Sequence, residues 1–399
     1  MKKLLKIVAY RWSSNESRDK RDLSAAREAG FDVAVMASGE RGDRMRETEI
    51  EGYRAYLRDT KASGVAFLPK PLNKLFCGLQ WAADARRYHA DVLNCHDLYA
   101  LIIGYIAARF QRKQNRPALL YDAHEFELGR NTNGKRGKFA GFLIRIAESF
   151  LMKRTALNVM VNDSIAEETA RIHHLKEKPL VIRNIPGNWK LEEAAIDAQR
   201  WKFIEALSAP EDTFLLMYHG MMMPGRGIEK AIELLSLNPH VALVLLGNGE
   251  EEYVRSLHRL AEKTGSAGRI LFRPAVPLET LWKYVGAADV GLLTTPNIYR
   301  SYYYMLPNKF FECIQALTPV IYPDFPEVSR LITRYGIGLT CDTSNLQDIN
   351  EKVERMRTDR AFYQQCKENL VKAKRDLCWE NEKKALVREY QRLYNAGKK

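Results

Sequence analysis

Short apolar runs alternate with segments of helical spacing along most of this chain, and the alternation breaks once and restarts. Runs at 4–10, 31–37, 91–95, 117–122, 157–161 and 179–184 form the first series. Runs at 214–218, 241–246, 270–274, 289–293 and 318–321 form the second. Short runs of this kind read as strands buried on both faces, and strand–helix–strand order calls for a parallel sheet covered by helices. The punctuation agrees. Gly30 stands where the first helix needs a left-handed C-cap, and Asn162-Asp163-Ser164 offers capping oxygens ahead of Glu167 and Glu168. Between the two series, Asn184-Ile185-Pro186-Gly187-Asn188 interrupts regular structure, and a polar helix is predicted over 191–207. The interdomain linker is therefore expected within 185–212, and 399 residues suit two α/β domains.

Composition limits the class of protein. No apolar run approaches the roughly 20 residues that span a bilayer. Residues 1–10 carry lysines before an apolar stretch, but the stretch is short and lacks a small-residue cleavage site, so it reads as the first strand. The six cysteines (77, 95, 313, 341, 366 and 378) have no paired metal spacing, and most lie in apolar contexts, as reduced thiols of a cytosolic protein do. The net charge of +13 asks for an acidic partner: phosphorylated substrates, an anionic membrane surface or nucleic acid. No zinc-finger, RNA-recognition or basic-zipper pattern accompanies it, which makes nucleic acid the weakest of the three.

A phosphate has an obvious place to bind. Tyr304-Met305-Leu306-Pro307-Asn308-Lys309-Phe310-Phe311-Glu312 is a polar turn entering an apolar helix that stops at Thr318-Pro319. Proline suits the first helical turn. The free amides there and the positive dipole end attract an anion. Lys309 sets a cation against that dipole, an arrangement an anion between them would relieve. Glu312 follows Pro307 by about 1.4 turns, within reach of a hydroxyl pair such as a ribose. The plainer alternative is an amphipathic helix with a proline start and an exposed lysine.

Ligands of open parallel sheets gather outside the carboxyl ends of strands. His96 and His124 stand at such ends in the first half, and His96 reads as a structural hydrogen-bonder. In the second half the same positions hold Gly220, the loop with Gly225, Arg226 and Gly227, Gly247 with Gly249, and Arg273-Pro274. Glycines admit close backbone approach, and the Arg226 fork suits a diphosphate. Tyr299, Tyr302, Tyr303 and Tyr304 fit sugar stacking or the covering of a core equally well. Over 135–154, Phe139, Phe142, Leu143, Ile146 and Phe150 recur at helical spacing with basic residues at both ends. That pattern suits a helix on an anionic membrane surface or a core-facing helix with snorkelling cations.

Pro307-Asn308-Lys309-Phe310-Phe311-Glu312, followed by the apolar helix and Thr318-Pro319-Val320-Ile321, resembles the donor-site signature of family 4 glycosyltransferases. Tyr121-Asp122-Ala123-His124-Glu125 resembles a motif of that family's N-terminal domain. The resemblance is strongest over 214–340. It implies a GT-B fold, two Rossmann-like α/β domains facing each other across a cleft. Residues 1–188 would form the acceptor-side domain and 189–379 the nucleotide-sugar domain, with a helix at about 380–399 packing back on the first. Glu312 would bind the ribose, and the amides at Pro307 and Asn308 the diphosphate, with Arg226 and Lys309 as its cations. His124 would meet the transferred sugar, with Glu125 as its neighbour. Gly220, Gly225 and Gly247 would let the donor approach, and Arg273 and Pro274 would border the base.

Two departures stand out. Tyr304 holds the place of a glutamate that contacts the sugar in many members, and Met221 the place of an arginine. Lys309 is expected to compensate for the latter. The first loop, with Arg11, Ser13 and Arg18, would face the acceptor. The implied reaction retains anomeric configuration by front-face attack. No enzyme nucleophile and no Asp-x-Asp is evident, so neither a metal nor a cofactor beyond the nucleotide-sugar co-substrate is expected. The expected donor is a UDP-sugar, and the expected acceptor a glycan or lipid-linked intermediate of bacterial surface polysaccharide synthesis. The expected location is the cytoplasm, with 135–154 offered to the inner membrane face. The rival readings are a non-catalytic basic scaffold for glycan or nucleic acid, and a nucleotide-sugar epimerase on the same fold.

Overall fold

The computed structural model describes residues 1–12, 17–39, 45–58, 70–124, 126–129 and 135–396. The chain divides into two compact units, one of Met1–Arg183 with Glu382–Lys399 and one of Asn184–Asn381.

The first unit contains β1 (Lys3–Arg11), β2 (Asp32–Ser38), β3 (Arg46–Ile50), β4 (Tyr53–Arg58), β5 (Val92–His96), β6 (Ala118–Asp122), β7 (Leu157–Met160) and β8 (Leu180–Val181). They pair in the order β3-β4-β2-β1-β5-β6-β7-β8. All pairs are parallel except β3 with β4. The alternation of apolar runs says nothing about residues 38–90, where the chain inserts this hairpin. Its turn is Glu51-Gly52, both with positive φ (53° and 79°), as a two-residue turn compatible with strand twist requires. Glu47 and Glu49 charge the β3 edge and discourage further strand pairing. The strand expected over 179–184 is only two residues long.

Right-handed crossovers dictate where the helices lie. The steps β4 to β5, β5 to β6 and β6 to β7 run one way across the sheet, whereas β1 to β2 runs the other. Helices Lys70–Arg87, Asp97–Arg109 and Lys135–Met152 therefore cover one face, and helix Ser17–Glu28 the opposite one. Helix Trp379–Asn395 joins Ser17–Glu28. Lys383 pairs with Glu28 at 2.7 Å, Tyr390 bonds Asp22, and Tyr394 meets Phe31 edge-on at 5.1 Å.

The second unit is a six-stranded parallel sheet of β9 (Phe214–His219), β10 (Val241–Leu246), β11 (Ile270–Arg273), β12 (Val290–Leu292), β13 (Val320–Pro323) and β14 (Gly338–Cys341), ordered β11-β10-β9-β12-β13-β14. Every residue of β10 is buried, which explains its unbroken Val-Ala-Leu-Val-Leu-Leu sequence. One layer packs on Leu216, Tyr218, Leu243 and Phe310, the other on Leu215, Met217, Val244 and Phe203. At Gly291 a Cβ would come 2.4 Å from Cys313 Sγ, so glycine is what lets helix Asn308–Gln315 lie directly on β12. Strand order reverses between β1 and β5 in the first sheet and between β9 and β12 in the second. Each reversal opens a crevice at the carboxyl ends of its strands.

Candidate functional site

At the reversal in the second sheet, β9 ends in His219 and Gly220. Gly220 has φ 106°, which favours glycine, and the end of the Lys309 side chain passes close over it, with Cε 2.6 Å from where a Cβ would stand. A Cβ on Gly247, after β10, would fall 1.9 Å from the Gly220 carbonyl oxygen. The next loop carries Gly225 and Gly227 at φ 83° and 75°, and Gly227 caps helix Ile228–Leu237. Thr294, leaving β12, donates to the Gly227 carbonyl at 2.6 Å and so ties this loop to the sheet.

That loop aims Arg226. Its guanidinium lies 5.5 Å from the Tyr302 ring centre, and its buried Nε has no hydrogen-bond partner among the described residues. An unpaired buried donor on a permanent cation is costly unless an anion arrives. Helix Asn308–Gln315 supplies the opposing groups. Phe310, Phe311, Cys313 and Ile314 sink into the core, while Lys309 and Glu312, one turn apart, share another side. Glu312 Oε2 is 2.8 Å from His219 Nε2. Burial lowers the Lys309 ammonium to about 8; Glu312 opposes this and Arg226 adds to it.

Gly220, Gly225, Arg226, Gly247, Lys309 and Glu312 thus gather around the exits of β9, β10 and β12. Pro307 is the N-cap of its helix (φ −75°, ψ 149°) and not a first-turn residue, with Asn308 exposed beside it and no side chain capping the turn. Arg273 and Pro274 are exposed at the end of β11, where the Arg273 carbonyl accepts from Gly247 N at 2.9 Å. The Tyr304 ring lies against Tyr303 and within 5.8 Å of Arg300. Met221 is exposed and offers no charge. His219 was not singled out from sequence. Its signal was its position at the strand end, the same that drew attention to His96.

His124 lies in the first unit, within a buried polar cluster at that sheet's own reversal. Lys6 is fully buried in β1, with Nζ 3.2 Å from Asp19 and 3.1 Å from Asp122, and it also pairs with Asp22. Arg18 adds a 2.7 Å bond to Asp122 and a 2.9 Å bond to the Ile182 carbonyl. His96 has both ring nitrogens engaged, with Asp19 at 2.9 Å and the Tyr10 hydroxyl at 3.0 Å. Its ring centre is 3.5 Å from that of His124, whose Nε2 is 3.2 Å from Asp122. The His124 amide donates to Asp97 Oδ1 at 3.1 Å, and Asp97 sits at φ 65°, a strained conformation for a non-glycine residue.

Electrostatics fix the charge states. Burial would raise the Asp122 carboxyl, but Arg18 and Lys6 together hold it well below the carboxylate range. Burial, reinforced by Arg18, pushes His124 down to about 3 against the pull of Asp122, so it is neutral near pH 7. One atom each of Asp19, His96, Asp122 and His124 could converge on a metal ion. Lys6 and Arg18 already satisfy those carboxylates, however, and a metal would have to displace them. Arg18, expected to face an acceptor, is committed to Asp122. Arg11 ends β1, and Ser13 and Glu125 lie outside the described residues.

Two family models match the chain in tandem, Glycosyltransferase Family 4 over residues 23–185 and Glycosyl transferases group 1 over residues 199–373. No curated protein matches the sequence. Solved structures match over nearly the full length. Sucrose-phosphate synthase from Thermosynechococcus elongatus superimposes with a TM-score of 0.75 at 15% identity, covering 99% of this chain and 100% of that one. Anabaena HepE in complex with UDP and glucose gives 0.73 at 14% identity, covering 97% and 98%. WaaG, a glycosyltransferase involved in lipopolysaccharide biosynthesis, gives 0.63 at 15% identity, covering 96% and 98%.

Proposed function

The chain belongs to the family 4 glycosyltransferases of GT-B fold, and we propose that it transfers a sugar from a UDP-sugar, with retention, to a glycan or lipid-linked acceptor of surface polysaccharide synthesis. The observation that carries this is the buried, unpaired Nε of Arg226 near the partly buried Lys309, with Glu312 held by His219 at 2.8 Å.

A leaving diphosphate develops charge as the glycosidic bond breaks, and fixed cations in a crevice stabilise that charge with little reorganisation. Arg226 would take its oxygens through the guanidinium fork and Lys309 through its ammonium, with the uncapped amides at Asn308 adding dipoles. Lys309 reaches the strand end that Met221 leaves uncharged. Glu312, oriented by His219, would accept from the ribose hydroxyls, and Arg273 and Pro274 would border the base. His124 is assigned to a hydroxyl of the transferred sugar. Its Nε2 faces Asp122, which leaves Nδ1 as an acceptor. We assign no side chain as a nucleophile: the acceptor oxygen would attack from the leaving-group side and pass its proton to the donor phosphate. The cations are the protein's own, and no metal or further cofactor enters the scheme.

The complexes of HepE with UDP and glucose support UDP as the base and phosphate carrier. The involvement of WaaG in lipopolysaccharide biosynthesis supports an envelope glycan as acceptor. No helix among the described residues is long and apolar enough to cross a membrane, and we place the enzyme in the cytoplasm, working at the inner membrane face through helix Lys135–Met152.

Thermal unfolding against UDP-, GDP-, ADP- and CDP-sugars in EDTA tests the donor. At ~100 times its dissociation constant a ligand stabilises by roughly 2.7 kcal/mol, a shift of several degrees. A shift with UDP-sugars alone that is lost in Glu312→Ala is expected. No shift with any of the four would overturn the proposal.

A further inference from the structure

Between helix Lys70–Arg87 and strands β1, β2 and β4, the first unit encloses a cavity of about 240 Å³. Strand register accounts for its floor. Ala34 stands opposite both Leu5 and Arg54, and Met36 opposite Tyr56, so these side chains share one face of the sheet. Lys6 belongs to the other face, where it pairs with Asp22 of helix Ser17–Glu28. Tyr88, directly after helix Lys70–Arg87, forms part of the wall. The cavity is separate from the crevice at the carboxyl ends of the strands. Lys3, which lines it, opens β1, whereas Tyr10, which bonds His96, lies near the far end of that strand, about 23 Å away at 3.3 Å per residue.

The wall holds one unsatisfied group. Tyr88 is 9% exposed, and its buried hydroxyl has no hydrogen-bond partner among the described residues. Buried polar groups nearly always have a partner, so an orphaned hydroxyl in a cavity wall marks where one arrives. The ring itself is held in place. The Tyr56 ring meets it edge-on at 5.5 Å, and Lys3 Nζ lies 5.5 Å from its centre. Leu5, Met36 and Met45 make part of the lining apolar, and Lys3, Arg54, Arg87 and His89 make it basic. The one acid in the lining, Asp84, is already bound by Arg58 and Arg87, and Arg54 faces Glu47 only loosely, at 3.8 Å.

We propose that this cavity binds a small organic anion, its apolar body against the methionines and tyrosine rings and an oxygen of its carboxylate or phosphate accepting from the Tyr88 hydroxyl. The surrounding cations favour an anion over a neutral molecule of the same shape. The volume falls below the roughly 300–1,000 Å³ of sites for drug-sized ligands, so a nucleotide-sugar does not fit. The inference is independent of the donor reading.

Ligand-observed NMR titration of the full chain with benzoate, phenyl phosphate and neutral benzyl alcohol tests it. At least one anion should bind saturably, about tenfold or more tightly than benzyl alcohol, and equally well to Arg226→Ala. Tyr88→Phe should weaken that binding by about tenfold, the worth of a hydrogen bond to a charged acceptor. The same variant without ligand should unfold at an unchanged or higher temperature, because its hydroxyl had no partner to lose. Lys3→Met, which keeps the stem and removes the charge, should also weaken the anion and leave benzyl alcohol unaffected. The proposal is overturned if neither anion binds, which would leave the cavity to water, or if Tyr88→Phe binds like wild type. A lower unfolding temperature for free Tyr88→Phe would mean that the hydroxyl is already bonded, and would overturn it too. Binding lost in Arg226→Ala would place the anion in the second unit and remove this site. Anion binding that depends on Tyr88, with no thermal shift from any nucleotide-sugar, would leave this inference standing and remove the donor proposal.

Discussion

Lys309 carries a pH signature that falls just above neutrality. Burial lowers its ammonium from an ordinary 10.5 to about 8, so without ligand it loses its proton over the range where most lysines keep theirs. Between pH 8 and 10.5 the unfolded chain binds more protons at this site than the folded one, and the lysine's contribution to stability rises with pH across that window. Donor binding has the opposite sign, because a diphosphate needs the charged form. Titration calorimetry with a UDP-sugar should therefore show affinity level below pH 8 and falling above it, while Lys309→Arg binds without that decline. A flat profile in wild type would remove Lys309 from the phosphate site. In the first unit the corresponding residue is Asp122, which Lys6, Arg18 and His124 share. Asp122→Asn leaves two buried cations short of a carboxylate, a loss of about 3–5 kcal/mol for a broken buried pair. Urea unfolding should show it. A change below 1 kcal/mol would mean that Asp19 and Asp22 suffice.

The position of helix Asn308–Gln315 depends on a residue with no side chain. Gly291 allows it onto β12 with Cys313 Sγ only 2.4 Å from where a Cβ would stand. Gly291→Ala should cost about 1–3 kcal/mol by overpacking and should weaken donor binding by moving Lys309 and Glu312, though it touches neither. Adding Cys313→Ala makes room and should restore both, as thermal shifts with a UDP-sugar would reveal. If binding is unchanged in the single variant, the helix is held by other contacts. The same contrast shows what could be read from the chain alone. The runs 214–218 and 241–246 announce β9 and β10 because strands buried on both faces are almost wholly apolar. Pro307, Lys309 and Glu312 announce the helix start because spacing and dipole are local. The β3–β4 hairpin does not announce itself: it lies at a sheet edge, where half-exposed strands such as Arg-Glu-Thr-Glu-Ile lack an apolar run. His219 finds its partner 93 residues away and Lys6 finds one 116 residues away, and nothing in the local sequence states who those partners are. Phe139, Phe142, Leu143, Ile146 and Phe150 of Lys135–Met152 turn to solvent and not to the core, but an outward stripe has the same spacing as an inward one, so periodicity cannot tell them apart.

Each unit has its own sheet and core, and the last helix belongs to the first unit from Glu382 onward. Tyr390, near its middle, is fully buried. Its hydroxyl bonds Asp22 and lies 2.8 Å from Asn94 Nδ2, while Glu382 forks onto Arg183 with Nη2 to Oε2 at 2.6 Å. The residues that close the first unit's buried charge cluster therefore come from the far end of the chain, beyond the whole second unit. A multidomain chain of this kind need not unfold in one step, and its parts can be addressed separately by calorimetry. Tyr390→Phe keeps the ring in place and removes only the hydroxyl, leaving Asp22 and Asn94 with one partner fewer, at a cost of about 1–3 kcal/mol. That loss should lower the transition of the first unit alone. A UDP-sugar should raise the transition of the Asn184–Asn381 unit, which holds Arg226, Lys309 and Glu312, and should do so equally in wild type and Tyr390→Phe. Two transitions moved independently by the variant and the ligand would mean that the nucleotide-diphosphate part of the donor, which dominates the binding energy, is held by the second unit. If the variant instead lowers the donor-dependent transition, stability is shared along the terminal helix, and the two units must be treated as one cooperative body.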